Sequence, residues 1–141
     1  MKGDPVPDSD HMSRYCKGTC IDNGRINGTA FYLRSGEDLS VNWLEFTQCP
    51  DRDEQIKEIR KTLGGRLTLG NSAKIAVLNV GDLKENVYLN SEDNRELDVK
   101  HDPIFEPPPD HSHSEIYNLR PDYDVIADLL AEIIQEDYPA K

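Results

Sequence analysis

The run Lys74-Ile75-Ala76-Val77-Leu78-Asn79-Val80 is the most apolar stretch of the chain, and Gly70-Asn71 and Gly81 bound it. A short continuous apolar run between turn residues is the pattern of a strand buried on both faces, placed centrally in a sheet. Its partners must come from elsewhere in the chain. Thr29-Ala30-Phe31-Tyr32-Leu33-Arg34 is β-rich and flanked by turn residues, so it is expected as one strand. Leu39 to Phe46 is expected as another, with Leu39, Val41 and Trp43 facing one way and Ser40 and Asn42 the other. Ser35-Gly36-Glu37-Asp38 reads as a hairpin connection between them. Met12 to Cys20 has room for a short strand, Leu97-Asp98-Val99 for an edge strand, and Asn23-Gly24 and Asn27-Gly28 mark tight turns.

Two helices are expected against this sheet. Asp51 is placed to cap the first, with Glu54 three residues on, and Ile56, Ile59 and Leu63 recur at helical spacing before Gly64-Gly65. The second starts at Pro121-Asp122, carries Val125, Ile126, Leu129, Leu130, Ile133 and Ile134 on one stripe, and ends at Tyr138-Pro139. Between Gly81 and Lys100 the pattern weakens, and Leu83, Val87 and Leu89 fit a short helix or a strand. The expectation is an α+β fold, a mainly antiparallel sheet with two helices packed on one face, in a single domain. Residues 1–9 read as an extended or disordered lead-in, residues 10–141 as the domain, and residues 101–115, with Pro103, Pro107, Pro108 and Pro109, as a Pro-rich loop.

The net charge of −11 opposes nucleic-acid binding, which relies on Lys and Arg neutralising phosphates. The densest basic set, Arg52, Lys57, Arg60, Lys61 and Arg66, is interleaved with Asp51, Asp53, Glu54 and Glu58, as on a solvated helix with paired charges. No apolar run approaches the ~18 residues of a membrane span, and Met1-Lys2-Gly3-Asp4-Pro5 lacks the apolar stretch of a secretory signal. Cys16, Cys20 and Cys49 are an odd count, unsuited to a closed disulfide framework. A cytoplasmic protein is expected.

Chemistry is sought in two polar segments that each open with Asp-His. Asp10-His11-Met12-Ser13-Arg14-Tyr15-Cys16 is one, and Asp110-His111-Ser112-His113-Ser114 is the other. Imidazole titrates nearest neutrality and serves as acid, base or metal ligand. One histidine as base, a second as acid and an arginine on a phosphate would make a metal-free hydrolase or nuclease from His11, Arg14, Tyr15 and His113. Asp10, Ser40, Asn42, His111 and Ser114 are candidate binding residues around them, with Ser40 and Asn42 on the polar face of their strand. His111 and His113 share a face if extended, yet neither they nor Cys16-x-x-x-Cys20 match a standard zinc spacing, so no metal and no cofactor is expected. Buried polar groups need partners, so the two segments are expected to meet in one pocket, against the alternative that both are simply solvated. The Pro107-Pro108-Pro109 loop suits protein recognition, because polyproline presents side chains at little entropic cost.

Asp10-His11-x-x-Arg14-Tyr15, Ser40-Val41-Asn42-Trp43-Leu44-Glu45 and His113-Ser114-x-Ile116-Tyr117 together resemble a family of small, uncharacterised bacterial proteins. The resemblance brings no catalytic residues with it. It implies an accessory role in a multi-gene bacterial system of the defence type. The first expectation is therefore a cytoplasmic accessory protein that binds a protein partner, with no nucleic-acid binding of its own and no membrane. The rival is the small histidine-dependent hydrolase, and the distance between the two Asp-His segments discriminates them.

Overall fold

A computed structural model describes residues 3–33, 38–120 and 122–141. In chain order the elements are β1 (His11–Cys16), β2 (Ile21–Asp22), β3 (Arg25–Ile26), β4 (Leu39–Trp43), α1 (Arg52–Gly64), β5 (Lys74–Asn79), α2 (Val80–Asn90), β6 (Asp98–His101), β7 (His113–Tyr117), α3 (Tyr123–Glu132) and β8 (Glu136–Pro139). Six of the strands form one sheet in the order β6-β7-β4-β1-β5-β8, with antiparallel pairing throughout. The fold is α+β with helices packed on a mainly antiparallel sheet.

The apolar run forms β5 as far as Asn79, with Val80 opening α2; β5 is flanked by β1 and β8, and Ile75, Ala76, Val77 and Leu78 are all buried. Alternate residues along a strand point to opposite faces, and the two faces of β5 are covered by different helices. Leu78 and Ala76 join Met12, Val41 and Ile116 beneath α2 and α3, which contribute Leu83, Val87, Ile126 and Leu130. Ile75 and Val77 pack instead with Ile56, Ile59 and Leu63 of α1. The expected placement of both helices on one face is corrected: α1 and α3 lie on opposite faces. The helical stripe shows that a residue is buried, not on which side of the sheet.

Local signals account for most boundaries. The Asp51 side chain accepts from the Glu54 amide and caps α1. Asn23 and Gly24, both at positive φ, turn the β2–β3 hairpin. Residues 29–34 depart from expectation. The Asn27 side chain accepts from the Thr29 amide, and Gly28–Phe31 closes into a 3-10 turn packed on α3 instead of a strand. Most of the proposed hairpin at 35–38, and Pro121 before α3, lie outside the described residues.

Three further differences concern the chain's margins. Residues 3–6 are no disordered lead-in: the amides of Gly3 and Val6 donate to the carbonyls of His101 and Val99, and Val6 is buried. They cover the outer edge of β6, which would otherwise present unpaired backbone. The Pro-rich loop is shorter than 101–115, because His101 ends β6 and His113 opens β7. The last helix stops at Glu132, after which the Gln135 amide donates to the Val77 carbonyl and β8 pairs with the free edge of β5. Val125, expected on the buried stripe, faces solvent.

The three cysteines are free thiols. Burial pushes the Cys16 thiol up to about 12, against an opposing effect from Arg14. Since the thiolate is the reactive form, Cys16 is expected to resist iodoacetamide at neutral pH under native conditions while the half-buried Cys20 and Cys49 label. Peptide mass mapping after timed alkylation checks this.

Candidate functional site

β1, β4 and β7 are adjacent in the sheet, and their register sets Ser13 beside Asn42 and Asn42 beside His113. These three polar residues lie on the face that carries α1, but beyond the area α1 covers. The uncovered area forms the floor of a cleft of about 720 Å³. Leu63, Arg66 and Leu67 at the end of α1 make one wall, and Ile104 and Asp110 of the 102–112 loop make another. Ala30, Tyr32 and Leu33 close the remaining side.

The floor is a satisfied polar network. Asn42 Nδ2 donates to Asp110 Oδ1 at 2.8 Å and to Ser112 Oγ at 2.9 Å, and all three residues are buried. The loop is held in place by paired backbone bonds between Ile104 and Asp110, both 2.9 Å. His113 Nδ1 donates to the Asp102 carbonyl at 2.8 Å, which fixes the tautomer and leaves Nε2 with its lone pair. Nε2 has no protein hydrogen-bond partner among the described residues. His113 is only 9% exposed, and it lines the cleft.

Of the residues expected from sequence, Arg14, Tyr15, Ser40, Asn42 and His113 meet around this cleft. Arg14 bridges the gap where β1 and β4 diverge, donating from Nε to the Ala30 carbonyl and from Nη1 to the Ser40 carbonyl. The Tyr15 hydroxyl accepts from the Gly70 amide.

His11 does not join them. Its Nδ1 and its backbone amide donate to the two carboxylate oxygens of Glu45, at 2.6 and 2.7 Å. His11 is not among the residues that line the cleft. The expectation of one pocket shared by His11 and His113 is corrected, because Glu45 follows β4 directly and captures His11 first. Asp10 accepts from Trp43 Nε1. Ser114 is wholly buried on the other face. His111 is exposed, with its ring against Phe105.

Sequence reading missed two carboxylates beside His113. Glu115 stands two residues along β7 and so shares its face, a signal available from strand alternation. Asp102 is brought opposite His113 by the β6–β7 pairing, which only the fold reveals. A His113 ring nitrogen and carboxylate oxygens of Asp102 and Glu115 lie within 4.8 Å of one another.

Burial, then the charge of Asp102 and a hydrogen bond to it, push the Glu115 carboxyl above its ordinary 4.5. A raised carboxyl is disfavoured by folding once ionised, so stability is lost as pH rises from the unfolded value through the folded one. Glu115→Gln is therefore expected to raise the melting temperature at pH 7 and to leave it nearly unchanged near pH 3. Melts across that range check the sign.

The three segments that carry the family resemblance are β1, β4 and β7 with their flanking residues, the neighbouring strands of this floor. Compared with protein-family models, curated proteins and solved structures, the chain matches none. Among the described residues, no helix is long and apolar enough to cross a membrane.

Proposed function

We propose that the chain is a partner-binding protein whose cleft receives a segment of another polypeptide. The observation that supports this best is the cleft itself: a rigid, hydrogen-bonded floor under an apolar rim that includes Leu67, 45% exposed, and Ile104. Specific sites pair a few fixed polar groups with apolar walls in this way. Arg14, Lys17 and Arg66 offset Asp38 and Asp110 along the lining, so the cleft stands apart from the acidity of the chain as a whole. Nucleic acid is not the proposed ligand, since the overall charge opposes it. The resemblance adds a setting in a bacterial multi-gene system.

In the native host, a photo-reactive residue replacing Leu67 should yield a discrete crosslinked protein. One replacing Leu89, exposed on α2 away from the cleft, should not yield that adduct. Adding Ile104→Asp should abolish the Leu67 adduct. An adduct that persists in that variant, or the absence of any adduct, counts against the reading.

His113 supports a second reading. A nine-tenths buried imidazole with its tautomer fixed and Nε2 open to a cleft is placed as a general base. The paired-histidine form of that chemistry loses its support, because Glu45 engages His11.

A further inference from the structure

We propose that the cleft selects its polypeptide segment by one basic side chain, a lysine or arginine whose charged head meets the Asp110 carboxylate and the acceptors beside it on the floor. This deepens the partner-binding reading and rests on it. Asp110 is 3% exposed. Its Oδ1 accepts from Asn42 Nδ2 and, at 3.4 Å, from Ser112 Oγ, whereas Oδ2 has no hydrogen-bond partner among the described residues. No lysine, arginine or histidine among them forms an ion pair with it. Every fully enclosed side-chain nitrogen or oxygen among the described residues has a partner. Oδ2 is therefore not enclosed, and it opens on the cleft that Asp110 lines. A carboxylate this deep without a counter-charge is costly, and a cation brought by a ligand offsets that cost.

The adjoining polar atoms are acceptors as well. Asn42 uses Nδ2 on Asp110 and Ser112, which fixes the orientation of its amide and leaves Oδ1 without a partner among the described residues. His113 stands beside Asn42 in the β4–β7 register and offers the lone pair of Nε2. By the same reasoning, both atoms reach the cleft. Acceptors gathered around a buried carboxylate suit a donor that carries positive charge. A carboxylate or phosphate on the ligand would instead set like charges together. The walls supply the rest of the fit. Leu63, Leu67 and Ile104 rise above this floor, and lysine and arginine lay their aliphatic stems along such apolar surface while the head finds polar partners. Lys17 and Arg66, also on the lining, disfavour a second basic residue, so the segment carries one basic side chain rather than a basic tract. The net charge of −11 attracts such a segment at long range.

The probe is an unbiased library of displayed linear peptides, selected on the full chain. The selected peptides should share a single lysine or arginine between apolar residues, and Ile104→Asp should abolish their binding. In the tightest of them, norleucine for that lysine or citrulline for that arginine should weaken binding by about tenfold or more. Asp110→Asn keeps the oxygen that accepts from Asn42 and removes the charge. It should weaken the parent peptide to a similar degree and leave the affinity of the neutral analogue unchanged. Circular dichroism establishes that the variant is folded, and the peptide analogues test the same contact without altering the protein. Selected peptides with no shared basic residue, a neutral analogue that binds as tightly as its parent, or a parent peptide indifferent to Asp110→Asn would overturn this inference and leave the partner-binding reading in place. No selected peptide, or binding that persists in Ile104→Asp, would overturn both.

Discussion

Phe31→Ala should destabilise the protein by about 3–5 kcal/mol, the range for truncating a buried aromatic. Phe31 is fully buried in the larger core cluster, with Ala30 beside it and α3 packed on their 3-10 turn. The side chain cannot be replaced by local collapse, because α3 rests on the turn and the sheet closes the other side. A loss of that size is a large share of the ~5–15 kcal/mol that typical domains possess. The melting temperature should fall by on the order of 10 °C. Phe105→Ala is the matched control: Phe105 is 71% exposed, and surface truncations stay within about 0.5 kcal/mol. Equal melts for the two variants would mean that the turn at 28–31 is not the anchor of α3.

The same residues show where sequence reading holds and where it stops. Phe31 is legible as buried from its apolar neighbours, yet not as part of a turn, because the Asn27 cap competes with strand pairing over only a few residues. Alternation correctly divides Leu39, Val41 and Trp43 from Ser40 and Asn42, and the Asp51 cap starts α1 where expected. Both are local signals. The side of the sheet that each helix covers is a long-range choice, set by how the chain crosses between β4 and β5. The end of α3 was hidden for a related reason. Ile133 and Ile134 continue the helical period, but pairing of residues 136–139 with the free edge of β5 is only possible after the chain has turned. At the site, Arg14, Tyr15, Ser40, Asn42 and His113 line the cleft, whereas Asp10, bonded to Trp43, does not. Glu45 and Asp102 decide what His11 and His113 can do, and both are set by the fold.

Asn42→Ala should cost about 3 kcal/mol, an effect out of proportion to the volume removed. Its amide supplies two hydrogen bonds, to Asp110 Oδ1 and Ser112 Oγ. Bonds to charged acceptors contribute about 1.5–3 kcal/mol, and an acceptor left buried without its donor adds a desolvation penalty. Asp110 is 3% exposed, and once Asn42 is truncated its Oδ1 keeps only the longer, 3.4 Å bond from Ser112 Oγ. The double variant Asn42→Ala/Asp110→Ala separates this from simple loss of packing. Removing both ends eliminates the stranded carboxylate, so the double variant should be less destabilised than the sum of the singles by about 1.5–3 kcal/mol. Strict additivity in urea melts would mean that the two side chains do not interact. Ser40→Ala, on the exposed part of the same face, should change stability by less than about 0.5 kcal/mol. The network also ties the 102–112 loop to the sheet through Asn42, while the Ile104–Asp110 backbone pair closes the loop on itself. Asn42→Ala should therefore loosen one wall of the cleft while α1 and the two apolar cores stay intact. Faster amide exchange confined to residues 103–112 is the expected signature. Exchange spread evenly over the sheet would instead make Asn42 a general core residue and detach the cleft from its floor.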